Sequence, residues 1–181
     1  MRPGSDPGEF LRTVVIRRRI TIGLVRAADG LTEARVRMTI EQCLQHFVDA
    51  RVARLATVSA AGAPHLVPVT FAVIDTVPTD SAAPLVVFAV DHKPKATAAL
   101  RRLDNIAANP RVAFLVDRYD DDWDRLWWVR ADANAAVIDG EYRLRAIAAL
   151  RAKYPQYELV APHGAVVGAA VHRWSGWRST A

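Results

Sequence analysis

The sequence predicts a mainly β domain with flanking helices, a small antiparallel barrel of six strands. Six segments show strand patterning or short apolar runs, against only three with helical spacing. The steps between strands are mostly hairpin-like, without the strand–helix alternation of a doubly wound parallel sheet. The chain has 181 residues, 51% of them apolar and 24% charged, which suffices for one well-buried core. Its nine Gly and ten Pro follow no period, which excludes collagen-like and low-complexity architectures.

Each element has a local reason. Thr39 with Gln42 three residues on is a capping-box pair, and Ile40, Leu44, Phe47 and Val48 recur at helical spacing, so residues 39–50 are expected to be helical. Residues 52–59 are rich in β-branched and apolar side chains, 60–63 form a turn, and 64–74 read as extended, with Pro64 and Pro68 suited to an edge or bulge. The loop 75–84 carries Pro78 and Pro84. The continuous apolar run 85–90 then fits a strand buried on both faces. Residues 96–109 form a helix packing through Leu100, Leu103 and Ile106, with Pro110 beyond its end. A strand over 111–116, an acidic loop over 117–124 and a long strand over 126–138 follow. Asp139-Gly140 breaks that strand, 141–154 is a helix, and 165–174 is the last strand.

Charge and cysteine content narrow the function classes. The net charge is +5, yet residues 1–37 hold eight Arg and four acids and so carry +4 of it. The remainder is nearly neutral, which argues against a nucleic-acid-binding domain. A single cysteine, Cys43, cannot form an internal disulfide and favours a reducing, cytoplasmic setting. No apolar run approaches the roughly 20 residues of a membrane span, and the apolar stretch after Arg17-Arg18-Arg19 stops at Arg26, too short for an export signal. Residues 1–37 read as a poorly ordered extension or expression-derived sequence, with residues 38–181 as the domain.

Three clusters bear on chemistry. Lys93-Pro94-Lys95 places two ammonium groups just before a helix N-terminus, which fits an anion site or a solvated surface turn. Asp120 to Asp124 is acidic but lacks the glycine and spaced oxygen ligands of a calcium loop. Trp127 and Trp128, adjacent on a strand, point to opposite faces, one into the barrel and one to a ring or interface. Thr57 and the return strand through His65 and Pro68 offer a hydroxyl and interrupted backbone pairing to a heteroaromatic edge. No metal-ligand spacing, GxGxxG or Walker loop is present, so no metal is expected and Rossmann and P-loop readings fail.

The order of these motifs carries a family resemblance. Ala53-Arg54-Leu55-Ala56-Thr57-Val58 leads through Gly62-Ala63-Pro64-His65-Leu66-Val67-Pro68-Val69 to Asp91-His92-Lys93-Pro94-Lys95. Asn109-Pro110-Arg111-Val112, Asp117-Arg118-Tyr119 and the run from Trp123 to Arg130 follow. Over residues 38–177 this resembles the flavin/deazaflavin oxidoreductase superfamily, and more closely its actinobacterial, pyridoxamine-phosphate-oxidase-class, coenzyme F420-dependent branch. The resemblance implies a split β-barrel homodimer with two cofactor sites at the subunit interface. It assigns the cofactor's phosphate to Lys93 and Lys95, with Ala89, Val90 and Asp91 leading in. The ring lies near Thr57, Pro68 and Val69, and Arg125, Leu126 and Trp127 close the site. The implied reaction is hydride transfer between F420, or FMN in the alternative, and a small conjugated substrate. His65, Tyr119 and Arg125 are unranked proton donors, and Arg101 and Arg102 are placed toward the cofactor's glutamyl tail. A non-catalytic cofactor-binding protein is the remaining alternative.

Overall fold

The computed structural model describes residues 36–74, 83–90, 97–159 and 164–179. Of the two units into which the chain divides, residues 1–32 and 33–181, only the second contains described residues. It opens with the two-residue strand β1 (Val36–Arg37), which pairs with the last strand, so the sheet takes in two residues upstream of Met38. Helix α1 (Ile40–Asp49) begins as its sequence dictates. Thr39 Oγ1 accepts the Gln42 N–H at 3.2 Å, and Gln42 Oε1 accepts the Thr39 N–H at 3.0 Å, so two otherwise orphaned donors are satisfied.

Strands β2 (Ala53–Val58) and β3 (Pro64–Val69) form an antiparallel hairpin whose turn places Gly62 at φ +80°, a conformation that favours glycine. The expected single strand over 64–74 is two strands. β3 ends at Val69, and β4 (Ala72–Ile74) starts beyond a corner at Thr70 and Phe71. The sheet order is β3-β2-β6-β7-β8-β5-β4, so this corner joins the two outer strands of the path and the sheet curls around its core. The Tyr154 hydroxyl fixes the corner, accepting the Phe71 N–H at 3.1 Å and lying 2.8 Å from the carbonyl oxygens of Phe71 and Arg51.

Strand β5 (Leu85–Ala89) is buried on both faces, as its apolar run predicts. Helix α2 (Thr97–Ala108) packs Ile106 and Leu103 on the core. β6 (Arg111–Arg118) runs two residues beyond the expected end, and a short 3₁₀ turn at Trp123–Arg125 leads into β7 (Trp127–Val137). Helices α3 (Gly140–Lys153) and α4 (Gln156–Leu159) precede β8 (Val166–Arg178). β8 extends four residues past its sequence-based limit because its ladder with β7 continues to Trp127↔Arg178, interrupted by a register shift at Asp132/Ala133. Two strands therefore join the expected six: β1, and β4 split from β3. All strand pairs are antiparallel, and the architecture is a curled antiparallel sheet with flanking helices.

Two apolar clusters hold it. The interior of the curl is filled by Phe88, Phe114, Val116, Val129 and Ala131 with Phe47 of α1, whose ring lies 4.8 Å from Phe71, 6.4 Å from Phe114 and 5.1 Å from Trp174. The second cluster lies under α3, where Ala146, Leu150 and Tyr154 cover Val87, Ala89 and Val166. Gly176 lets α1 approach β8 closely, since a Cβ there would meet Cys43 Sγ at 2.6 Å. No helix among the described residues is long and apolar enough to cross a membrane.

Candidate ligand-binding site

Residues directly opposite one another in an antiparallel ladder share a face, so the register assembles the outer face of the sheet row by row. One row runs Arg37, Trp177, Trp128, Asp117 across β1, β8, β7 and β6. The next runs Ser175, Arg130, Leu115, Arg54, Pro68 from β8 to β3. The third runs Arg173, Asp132, Ala113, Ala56, Leu66. The alternate residues Val129, Ala131 and Ala133 point inward and are fully buried. Thus every second residue of β7 packs and the others face outward.

This outer face has two parts. On β2 and β3, Leu66 is 64% exposed, and Pro68 is exposed beside it. Leu66 and Pro68 with Ala56 and Val58 form a flat apolar strip, bordered by the Arg54–Asp117 ion pair. Two grooves share Arg173: one of about 700 Å³ is lined from β1, β7, β8 and the turn after β6, and one of about 690 Å³ is lined from β2, β6, β7 and β8 and reaches Ala56 and Val58 of the strip. Arg130 is held in place by Asp132, with Nε to Oδ1 at 3.1 Å and Nη2 to Oδ2 at 3.2 Å. In the turn beyond β6, hydrogen bonds from the Arg118 guanidinium and the Asp122 N–H hold the Asp120 carboxyl below the usual carboxylate range.

The sequence-derived site residues divide among these surroundings. Thr57 is 1% exposed and faces inward, where its Oγ1 accepts a hydrogen bond from the buried Asn105 Nδ2 at 2.9 Å and lies 3.5 Å from His65 Nδ1. Val69 and Val90 belong to the barrel core, and Ala89 is covered by α3. Pro68 lies on the exposed strip. Trp127 is half-buried and packs inward, its ring 4.5 Å from that of His46, while Trp128 takes the outer face. Arg125 is exposed and pairs with Asp122 at 3.3 Å. Asp91, Lys93 and Lys95 lie outside the described residues. The structure brings together Thr57 with His65 and sets Pro68 in the outer strip, whereas Ala89 is buried beneath α3 and Trp127 packs inward.

Sequence reasoning missed Asn105, Arg173, Trp177 and Arg37. A signal existed for the outer row of β7, because Trp128, Arg130, Asp132 and Asn134 alternate with Val129, Ala131, Ala133 and Ala135. None existed for Arg37 or Arg173, whose relevance comes from lateral neighbours far away in sequence. Among the described residues, no group of three or more His, Cys, Asp or Glu could hold a metal ion.

The fold has known counterparts. The crystal structure of the conserved hypothetical protein Rv2991 from Mycobacterium tuberculosis is similar at TM-score 0.62 and 20% identity, covering 83% of this chain and 90% of that one. A FAD-binding protein from Mesorhizobium loti is similar at TM-score 0.57 and 18% identity, over 80% of this chain and 98% of that one. The FAD-binding protein from Mycobacterium smegmatis gives TM-score 0.56 and 16% identity, over 81% and 100% of the respective chains. Among curated proteins, none matches this sequence. The sequence profile described as pyridoxamine 5'-phosphate oxidase matches residues 39–178, from the N-cap of α1 to the end of β8. This chain therefore belongs to the pyridoxamine 5'-phosphate oxidase family.

Proposed function

We propose that this chain is an oxidoreductase that binds coenzyme F420 noncovalently, acts in the cytoplasm as a homodimer, and moves a hydride between the deazaflavin and a small conjugated organic substrate. The observation that carries the reading is the family match over residues 39–178, joined to the motif order within it. The surface fits such a group: Leu66 and Pro68 leave a flat apolar strip uncovered in the single chain, suited to a planar ring or a second subunit.

When bound, reduced F420 supplies the hydride from its ring C5. The chain's own part is binding, orientation and exclusion of water. Lys93 and Lys95 hold the phosphate by charge-assisted contacts. The strip around Pro68 supports the ring, and Arg125 and Trp127 close the site from the partner subunit. A flavin in place of the deazaflavin is the second reading, favoured by the FAD-binding proteins that share the fold.

Titration of the full chain with oxidised F420 and, separately, FMN, followed by tryptophan fluorescence, tests the proposal. Tight F420 binding with weak FMN binding is expected. Preference for FMN selects the second reading, and binding of neither overturns both. Lys93→Ala with Lys95→Ala is expected to weaken cofactor binding by about 1–3 kcal/mol. Unchanged affinity returns these lysines to a surface turn.

A further inference from the structure

Away from the outer face, the C-terminal ends of α1 and α3 are clasped by each other's cations. Lys153, the last residue of α3, donates from Nζ to the Val48 carbonyl in the last turn of α1 at 2.8 Å. Arg51, just beyond α1, donates from Nη1 to the Lys153 carbonyl at 2.7 Å. Both cations share the Tyr154 ring, with Arg51 Cζ 4.6 Å and Lys153 Nζ 5.8 Å from its centroid, and Nζ lies 4.1 Å from the Phe71 centroid. Among the described residues no Asp or Glu forms an ion pair with either cation. Asp49, the acid that acts on Lys153, is itself held by Gln45 Nε2 at 3.0 and 3.1 Å. The ring faces offset part of the hydration that this half-buried ammonium loses, and the neighbouring guanidinium opposes its charge. Desolvation first and Arg51 second push its pKa down to about 8. Near neutral pH the free-amine fraction is then on the order of a hundredfold above that of an ordinary lysine. Of the 24 Lys and Arg residues only Lys93, Lys95 and Lys153 are lysines, and an arginine at this junction would have kept its charge and had no nucleophilic form.

We propose that Lys153 is a nucleophilic amine and a site of N-acylation by small acyl phosphates, with the Arg51 guanidinium receiving the phosphoryl group. A lysine desolvated beside a second cation is the ordinary form of an activated amine. The nitrogen lone pair attacks the acyl carbon and a C–N bond forms. The C–O bond to phosphate breaks, its electron pair leaves with phosphate, and the nitrogen gives one proton to solvent, with no change of oxidation state. Arg51 has donors left beyond the one on the Lys153 carbonyl, and a guanidinium matches phosphate oxygens in pairs. The product suits the junction better than the ammonium does. A neutral amide keeps one N–H for the Val48 carbonyl, and the repulsion from Arg51 is gone. The inference stands on this junction alone and holds whichever cofactor the chain takes.

The test incubates the full chain with acetyl phosphate at neutral pH, folded and unfolded in guanidinium chloride, and follows acetylation of Lys153 by mass spectrometry of its peptide. Burial without activation protects a lysine, so the sign of the difference decides. Lys153 is expected to react about tenfold faster or more in the folded chain, where its free-amine fraction is larger. An equal or slower rate in the folded chain overturns the proposal. A second arm compares acetyl phosphate with N-acetoxysuccinimide, an acetyl donor without a phosphoryl group. Arg51→Gln is expected to slow acetyl phosphate about fivefold more than it slows N-acetoxysuccinimide, as loss of a charge-assisted contact requires. Equal slowing of the two reagents overturns the assignment to acyl phosphates. The comparison of folded and unfolded wild-type chain stands even where the Arg51 variant does not fold.

Discussion

The two faces of the same strands teach different lessons. On the inner face, Phe114, Val116, Val129 and Ala131 are fully buried and interlock with Phe47 of α1. On the outer face, the alternating residues Arg130 and Asp132 form an ion pair, while Trp128 and Leu115 present half-buried apolar surface. Both sets are specified by a period of two, yet they are held to different standards. The inner set must fill space without voids, whereas the outer set is free to present donors and rings because little packs against it.

The largest effect expected from this contrast is Phe47→Ala. The ring contacts Phe71, Phe114 and Trp174, and its removal should cost about 3–5 kcal/mol in a urea unfolding experiment. Leu66→Ala on the outer strip should change stability by about 0.5 kcal/mol or less, since that side chain is already in water. Comparable losses at both positions would break the comparison.

Gly176→Ala probes the boundary between the faces. It adds a methyl group toward Cys43 and Met38, so α1 must shift. Overpacking of this kind should cost about 1–3 kcal/mol and be visible as a lowered Tm. Burial pushes the Cys43 thiol up from its ordinary pKa, so in the intact protein it should resist alkylation. Faster Cys43 alkylation in Gly176→Ala would report the displaced helix directly.

Lys153 gives the smallest and most specific test. Its Nζ donates to the Val48 carbonyl at 2.8 Å and lies 4.1 Å from the Phe71 ring centroid. Burial, with Arg51 nearby, pushes its pKa down to about 8. The unfolded lysine, with a pKa of about 10.4, keeps its proton over the interval above that value. Between pH 8 and about 10 the unfolded state therefore binds more protons, and stability from this group rises with pH. The wild type should gain stability relative to Lys153→Met across that interval. Urea titrations at successive pH values check it, and a flat difference would remove Lys153 from the account. Burial raises the Tyr154 hydroxyl pKa, and its contribution has the opposite sign, fading as pH climbs through the raised value.

Much of the fold was legible in the sequence because local rules governed it. The Thr39–Gln42 cap, the hairpin around Gly62, the doubly buried run of β5 and the polar break before α3 all depend on nearby residues. The corner at Thr70 and Phe71 was not legible, since its bend is anchored by a tyrosine 83 residues away. The length of β8 was hidden for a similar reason: Ser175, Gly176 and Trp177 have no strand patterning of their own and are extended by their ladder with β7. In the site, Thr57 was legible as a polar residue in an apolar strand, but its partner Asn105 comes from a helix 48 residues on.

The sequence by itself determined most of the secondary elements, the antiparallel class and the family, because periodicity, caps and motif order are short-range properties. The tertiary structure alone decided which side chains share a surface. It placed Arg37, Trp177 and Trp128 in one row and separated Ala89 and Trp127 from the outer strip. The physical reason is register: lateral neighbours in a sheet are fixed by pairing and a bulge between distant strands, and a shift of one residue would turn each side chain to the opposite face.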